Sequence, residues 1–116
     1  MHEYSLTKRI VQTVNDAAAE RGAKRVNAVF LVIGENNGVI PESVQMYFDI
    51  IAKGTAAQGA ILHTHVIRSE MYCPLCGENF RRPRFSFACP ACGTLGSPTQ
   101  VGGEFYVERI QIEETE

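Results

Sequence analysis

Two copies of Cys-Pro-x-Cys-Gly constrain this chain more than any other feature. They are Cys73-Pro74-Leu75-Cys76-Gly77 and Cys89-Pro90-Ala91-Cys92-Gly93, and they use all four cysteines of the chain. A two-residue gap lets both thiolates of a pair reach one ion from a tight turn, and the glycine that follows can take the unusual backbone angles the turn needs. Two such knuckles face to face supply four thiolates in a tetrahedron, which suits zinc. Four protein ligands close the coordination sphere, so the expected role is structural, with no cysteine left as a nucleophile. Tetrahedral sulfur also suits iron in rubredoxin-like electron carriers. Against that reading, the cysteines sit in a larger α/β body with no evident redox cofactor. Disulfides are disfavoured because the opening Met1-His2-Glu3-Tyr4 is polar, with no signal-peptide pattern, and no apolar run approaches the ~20 residues of a membrane span. The expected compartment is the cytoplasm, where thiols stay reduced.

Around the cysteines the pattern reads helix, strand, helix, strand, cysteine lobe, strand. Leu6, Ile10, Val14, Ala17 and Ala18 recur at helical spacing, with Ser5 as a capping residue and Gly22 as the terminator. Val26 to Ile33 is apolar at both parities, which predicts a central strand covered on both faces. Asn36-Asn37-Gly38 is a turn signal. Pro41 and Glu42 suit the start of a second helix closing at Gly54, with Val44, Phe48 and Ile51 on one face. Residues 60–71 read as a second strand and 104–112 as a third. The expectation is an α+β fold. Two helices pack on a three-stranded, mainly antiparallel sheet, and a four-cysteine zinc-ribbon lobe is inserted. Residues 1–70 plus 98–116 form the body and residues 71–97 the inserted lobe.

Eleven Lys and Arg against thirteen Asp and Glu leave a net charge of −2. That balance argues against nucleic acid or an anionic membrane as a general partner. The lobe nonetheless interleaves Arg81, Arg82 and Arg84 with Phe80, Phe85 and Phe87. The bland reading is a thin apolar cover with a solvated basic face; the others are docking onto an acidic protein surface and a zinc-ribbon nucleic-acid module. His63 and His65 lie two apart on a predicted strand, hence on one face, and are candidates for an auxiliary metal site. Gly34 to Gly38 lacks the Lys and Ser/Thr of a phosphate loop. Glu42 and Asp49 have no base or nucleophile beside them. No enzyme activity is expected.

Met1-His2-Glu3 is the second informative segment. The α-amine, the His2 amide nitrogen and the His2 imidazole can close two adjacent chelate rings on one ion, with Glu3 alongside. Ni(II) or Cu(II), which favour square-planar nitrogen ligands, fit such a set. Tyr4 is placed to shield the segment or to staple the helix entry.

Met1-His2-Glu3-Tyr4-Ser5-Leu6 at the first residue, an α/β body of this size and the doubled Cys-Pro-x-Cys-Gly together resemble the HypA/HybF family of hydrogenase nickel-incorporation proteins. Gly34-Glu35, Pro41-Glu42-Ser43 leading to Phe48, and Val107-Glu108-Arg109-Ile110-Gln111-Ile112-Glu113 are also similar to that family. The resemblance implies a nickel metallochaperone. It implies that His2, with Met1 and Glu3, binds Ni2+ as transferred cargo, and that Cys73, Cys76, Cys89 and Cys92 bind structural Zn2+. It also implies a HypB-type GTPase partner, the [NiFe]-hydrogenase large subunit as recipient, and in some members urease maturation proteins. The open edge of the sheet permits a monomer or a homodimer.

Overall fold

The structure is a computed structural model that describes residues 2–113, His2 by its backbone only. The chain divides into two compact units. The first holds the described residues up to Val32, Val39–His65 and Tyr106 onward; the second holds Ile33–Gly38 and Val66–Phe105. The second unit thus contains the whole 71–97 segment together with 33–38, 66–70 and 98–105.

In the first unit, helix α1 runs His2–Glu20 and helix α2 runs Pro41–Ile51. The helix was expected to begin after a Ser5 cap, but Ser5 lies inside it. The start moves upstream because Glu3 is tied down from afar: its Oε2 accepts the Ile40 N–H at 2.8 Å. A carboxylate in the first turn also faces the positive end of the helix dipole. Gly22, at φ 65, ends the helix as expected, and Ala23 N–H donates back to Ala18 O at 2.9 Å. Helix α2 stops at Ile51, short of Gly54, and residues 52–59 form turns. There Thr55 Oγ1 donates to Ala52 O at 2.7 Å, and Ala57 N–H is held by Asn15 Oδ1 of α1 at 3.0 Å.

Strand β1 (Val26–Gly34) is the middle of a sheet ordered β2-β1-β6, with β2 at Ile61–Ile67 and β6 at Phe105–Ile112. Gly34 N–H donates to Glu104 O and Glu113 N–H to Arg25 O, so β6 runs antiparallel to β1. The core of this unit draws on α1, α2 and β1: Val14, Ala18, Val29, Leu31, Val44 and Phe48 are all buried. Ala28 and Val32, of the opposite parity, are buried as well, in keeping with the two-sided strand. Between them Phe30 carries the Arg109 guanidinium 3.6 Å above its ring and is stacked by His63 at 4.8 Å. In β6 the half-buried residues are Phe105 and Val107, then Ile110 and Ile112. Tyr106 and the Glu108-Arg109 pair are exposed.

The second unit has its own sheet, ordered β4-β3-β5. Strand β3 (Glu70–Cys73) pairs antiparallel with β4 (Glu78–Arg81) and with β5 (Ser97–Pro98). The single strand expected over 60–71 is therefore two, broken at Arg68-Ser69. The cause is polar: the Ser69 N–H (2.7 Å) and hydroxyl (3.2 Å) both turn to Glu35 Oε2 instead of continuing a ladder. Glu35 is held by a short 3-10 turn, Glu35–Asn37, closed by Gly38 at φ 70. Gly34 and Gly102 come so close that a Cβ on Gly34 would lie 2.1 Å from Gly102 O.

Candidate metal centre

The four sulfurs are brought together by two hairpin-like turns. In the first, Cys73 ends β3 opposite Glu78 of β4, so the intervening residues must fold tightly. Gly77, at φ 73, returns its N–H to Cys73 O at 2.8 Å, and the Cys76 N–H points at Cys73 Sγ at 3.3 Å. The second turn repeats the plan: Gly93, at φ 77, donates to Cys89 O at 2.8 Å, and Cys89 N–H donates to Thr94 O. A left-handed backbone at both glycines is what the doubled Cys-Pro-x-Cys-Gly predicts.

All four Sγ atoms lie within 4.8 Å of one another. Cys73 and Cys92 are 3.5 Å apart and Cys76 and Cys89 are 4.0 Å apart. Metal–sulfur bonds of about 2.3 Å in a regular tetrahedron require sulfur–sulfur edges of about 3.8 Å. The observed separations bracket that edge, so the residues fit one tetrahedral cation. Among the described residues this is the one group of three or more His, Cys, Asp or Glu side chains able to share an ion.

The electrostatics agree. Without a cation, sulfurs this close cannot all ionise. Hydrogen bonding from Thr94, first through its hydroxyl, pulls the Cys92 thiol down to about 6. Hydrogen bonding with Cys92 and then Cys73 pushes Cys76 up to about 12. A divalent ion removes this conflict, because coordination deprotonates the thiols and supplies the missing positive charge. Cys73 and Cys89 are buried, whereas Cys76 and Cys92 are exposed. With four thiolates in place no position is left for water or substrate, and the chemistry available is structural.

Of the candidate residues at the chain start, Met1 and the His2 side chain lie outside the described residues. Glu3 is half-buried, with its carboxylate on Ile40 N–H and its carbonyl accepting the Thr7 hydroxyl at 2.6 Å. Tyr4 meets Tyr47 of α2 edge-on at 5.7 Å, a staple at the helix entry. His63 is occupied against Phe30 and His65 is exposed; neither belongs to a three-ligand group. Sequence reasoning missed Thr94, which sits 3.3 Å from Cys92 Sγ, and the Glu35-Ser69 latch. The first could have been found as the hydroxyl two residues after a knuckle cysteine. The second joins residues 34 apart and leaves no local signal.

With this geometry in view, comparison with known proteins is decisive. The family described as "Hydrogenase/urease nickel incorporation, metallochaperone, hypA" matches residues 1–112. The chain belongs to this family. Its relatives named hydrogenase maturation factor HypA include that of Caldanaerobacter subterraneus subsp. tengcongensis, 42% identical over 97% of this chain and 100% of that protein. Another, from Dehalococcoides mccartyi, is 37% identical over 98% and 96%. A solution structure of the Ni metallochaperone HypA from Helicobacter pylori superposes with a TM-score of 0.65 at 22% identity, and a second HypA solution structure with 0.69 at 21%. Each covers 97% of both chains, so the fold is that of HypA. As a HypA-family chain it is a maturation factor and not an enzyme. No helix among its described residues is long and apolar enough to cross a membrane.

Proposed function

We propose that this chain is a cytoplasmic nickel carrier. It binds Ni(II) through the Met1 amine, the His2 amide and imidazole, and Glu3, and it passes the ion, with a HypB-type GTPase, to the large subunit of [NiFe]-hydrogenase. The observation that carries the reading is the family match over residues 1–112, which takes in both the Met-His-Glu opening and the four cysteines. The cysteine cluster holds zinc, which keeps residues 71–97 in shape. Nickel handling belongs to residues 1–70 plus 98–116.

Two features of the described residues support the N-terminal site. Helix α1 already includes His2 and Glu3, and the first N–H groups of a helix have no intrahelical acceptor. Those amides are therefore uncommitted, as a square-planar nickel site requires. The Glu3 carboxylate is anchored to Ile40 N–H, which favours the Glu3 backbone as the nickel donor and its side chain as the tether. The mechanism is ligand exchange. A terminal site can be dismantled one ligand at a time by an approaching recipient, whereas a closed four-thiolate site would let go too slowly.

The test is nickel titration of untagged protein by calorimetry, alongside metal analysis. About one nickel per chain is expected beyond the zinc. His2→Ala, and separately a short N-terminal extension, should abolish that nickel while leaving zinc in place. Stoichiometric nickel binding by His2→Ala, or normal hydrogenase maturation with it, overturns the reading.

A further inference from the structure

A second site lies in the cysteine-bearing unit, with no cysteine in its lining. Glu35, Arg68, Arg82, Arg84 and Phe85 line a cavity of about 560 Å³. Three guanidinium groups thus share one pocket with a single carboxylate, and that carboxylate is largely spent. Its Oε2 takes both the N–H and the hydroxyl of Ser69, and its Oε1 stands 3.9 Å from Arg82, beyond hydrogen-bond range. Arg68 and Arg84 are exposed and have no carboxylate within 4.0 Å among the described residues. Arg82 is held more firmly, its guanidinium 5.0 Å above the Phe87 ring, yet its Nε is buried with no hydrogen-bond partner among the described residues. A buried donor without an acceptor is rare in folded proteins.

Phe85 is anomalous in two ways. It is the one non-glycine residue among those described with a positive φ, at 62, and it is 94% exposed. A bulky side chain in the left-handed region is strained, and no intramolecular burial of the ring repays it. Strain and apolar exposure at one residue beside a charged pocket mark a surface shaped for something outside the chain.

We propose that this cavity binds an acidic peptide segment of a protein partner. Arg68 and Arg84 take its carboxylates, Arg82 forms the floor, and Phe85 inserts into an apolar pocket of the partner. Arginine and aromatic residues are the types that dominate interface hot spots, and planar guanidinium forks match carboxylate geometry. A small free anion would leave Phe85 unexplained. Nucleic acid needs a broad positive field, and this unit has none: Arg68, Arg81, Arg82 and Arg84 are balanced by Glu35, Glu70, Glu78 and Glu104. The basic character is local to the pocket, suited to a short acidic stretch. The proposal stands independently of the nickel assignment.

The test uses fluorescence anisotropy with the zinc-loaded full chain. The probe is a labelled peptide of alternating Glu and Leu, compared with the same peptide carrying Gln for Glu, with a single-stranded oligonucleotide and with inorganic phosphate as competitor. Saturable binding of the Glu peptide is expected, with little binding of the Gln peptide. Arg84→Ala and Phe85→Ala should each weaken it by about fivefold or more, the range of a hot-spot truncation. Both side chains are exposed, so metal content and melting temperature should hold. Phe85→Gly separates docking from strain: it relieves the backbone and should melt no lower than wild type while still losing peptide affinity. Equal binding of the Gln peptide, tighter binding of the oligonucleotide, full displacement by phosphate with Phe85→Ala unaffected, or no binding below about 1 mM would each overturn the proposal.

Discussion

Replacing Gly34 by Ala adds one methyl group, and the structure specifies what it meets. The backbone at Gly34 has φ −77 and ψ 142, angles open to any residue, so the cost is steric alone. The new Cβ would lie 2.1 Å from Gly102 O and 2.6 Å from Glu104 N. Both are backbone atoms and cannot rotate aside. Overpacking of this kind costs about 1–3 kcal/mol. Separating the two segments also stretches the bonds from Gly34 N–H to Glu104 O (2.6 Å) and from Asn36 N–H to Gly102 O (2.7 Å), each worth about 0.5–1.5 kcal/mol. Together these give roughly 2–6 kcal/mol, a large share of the ~5–15 kcal/mol that holds a domain folded. At about 4 °C per kcal/mol for a chain of this size, the melting temperature should fall by roughly 8–24 °C. The assay is thermal unfolding of zinc-loaded protein by circular dichroism, with Gly38→Ala as the control. Gly38 has φ 70 and nothing within 4 Å of a would-be Cβ, so that change brings only the left-handed penalty of about 1–2 kcal/mol. If Gly34→Ala melts no lower than Gly38→Ala, the close approach of Gly34 and Gly102 does not limit the stability of the fold.

Three further outcomes are expected. Cys89→Ser, or a strong chelator, should remove the bound metal and with it the amide protection of residues 70–73 and 78–81, while residues 26–34 stay protected; hydrogen exchange with mass spectrometry reads this directly. Phe48, with no exposed surface, should cost about 3–5 kcal/mol when cut to Ala, measured by urea unfolding. Glu35 is held below the ordinary carboxylate value, chiefly by the Ser69 N–H; its stabilisation is therefore present above the unfolded-state value and lost as pH falls through the lower folded-state value. The melting-temperature gap between wild type and Glu35→Gln should be widest near neutrality and close in acid, and a gap that does not vary with pH would contradict the latch.

The elements driven by local chemistry could be read before the structure. The paired knuckles follow from cysteine spacing and glycine geometry. The central place of β1 follows from apolar residues at both parities, and the start of α2 from Pro41. The departures all arise where distant residues meet. Helix α1 starts at His2 because Glu3 finds Ile40, 37 positions away. The break between β2 and β3 at Arg68-Ser69 exists because Glu35 captures Ser69. No periodicity encodes either partner. The Arg and Phe residues of the cysteine lobe were visible as an interleaved run, but their convergence on one pocket depends on Arg68 and Glu35 from outside that run.

The cysteine cluster has an inside and an outside. The first cysteine of each pair, Cys73 and Cys89, is shielded, and the second, Cys76 and Cys92, meets solvent. Oxidants and thiol-alkylating electrophiles follow accessibility, so damage begins at the outer two sulfurs. An ion held by all four thiolates would keep its two inner ligands when the outer two are oxidised, so its loss would be stepwise: a mild oxidative insult would be reversed by reduction, and only a sustained one would empty the lobe.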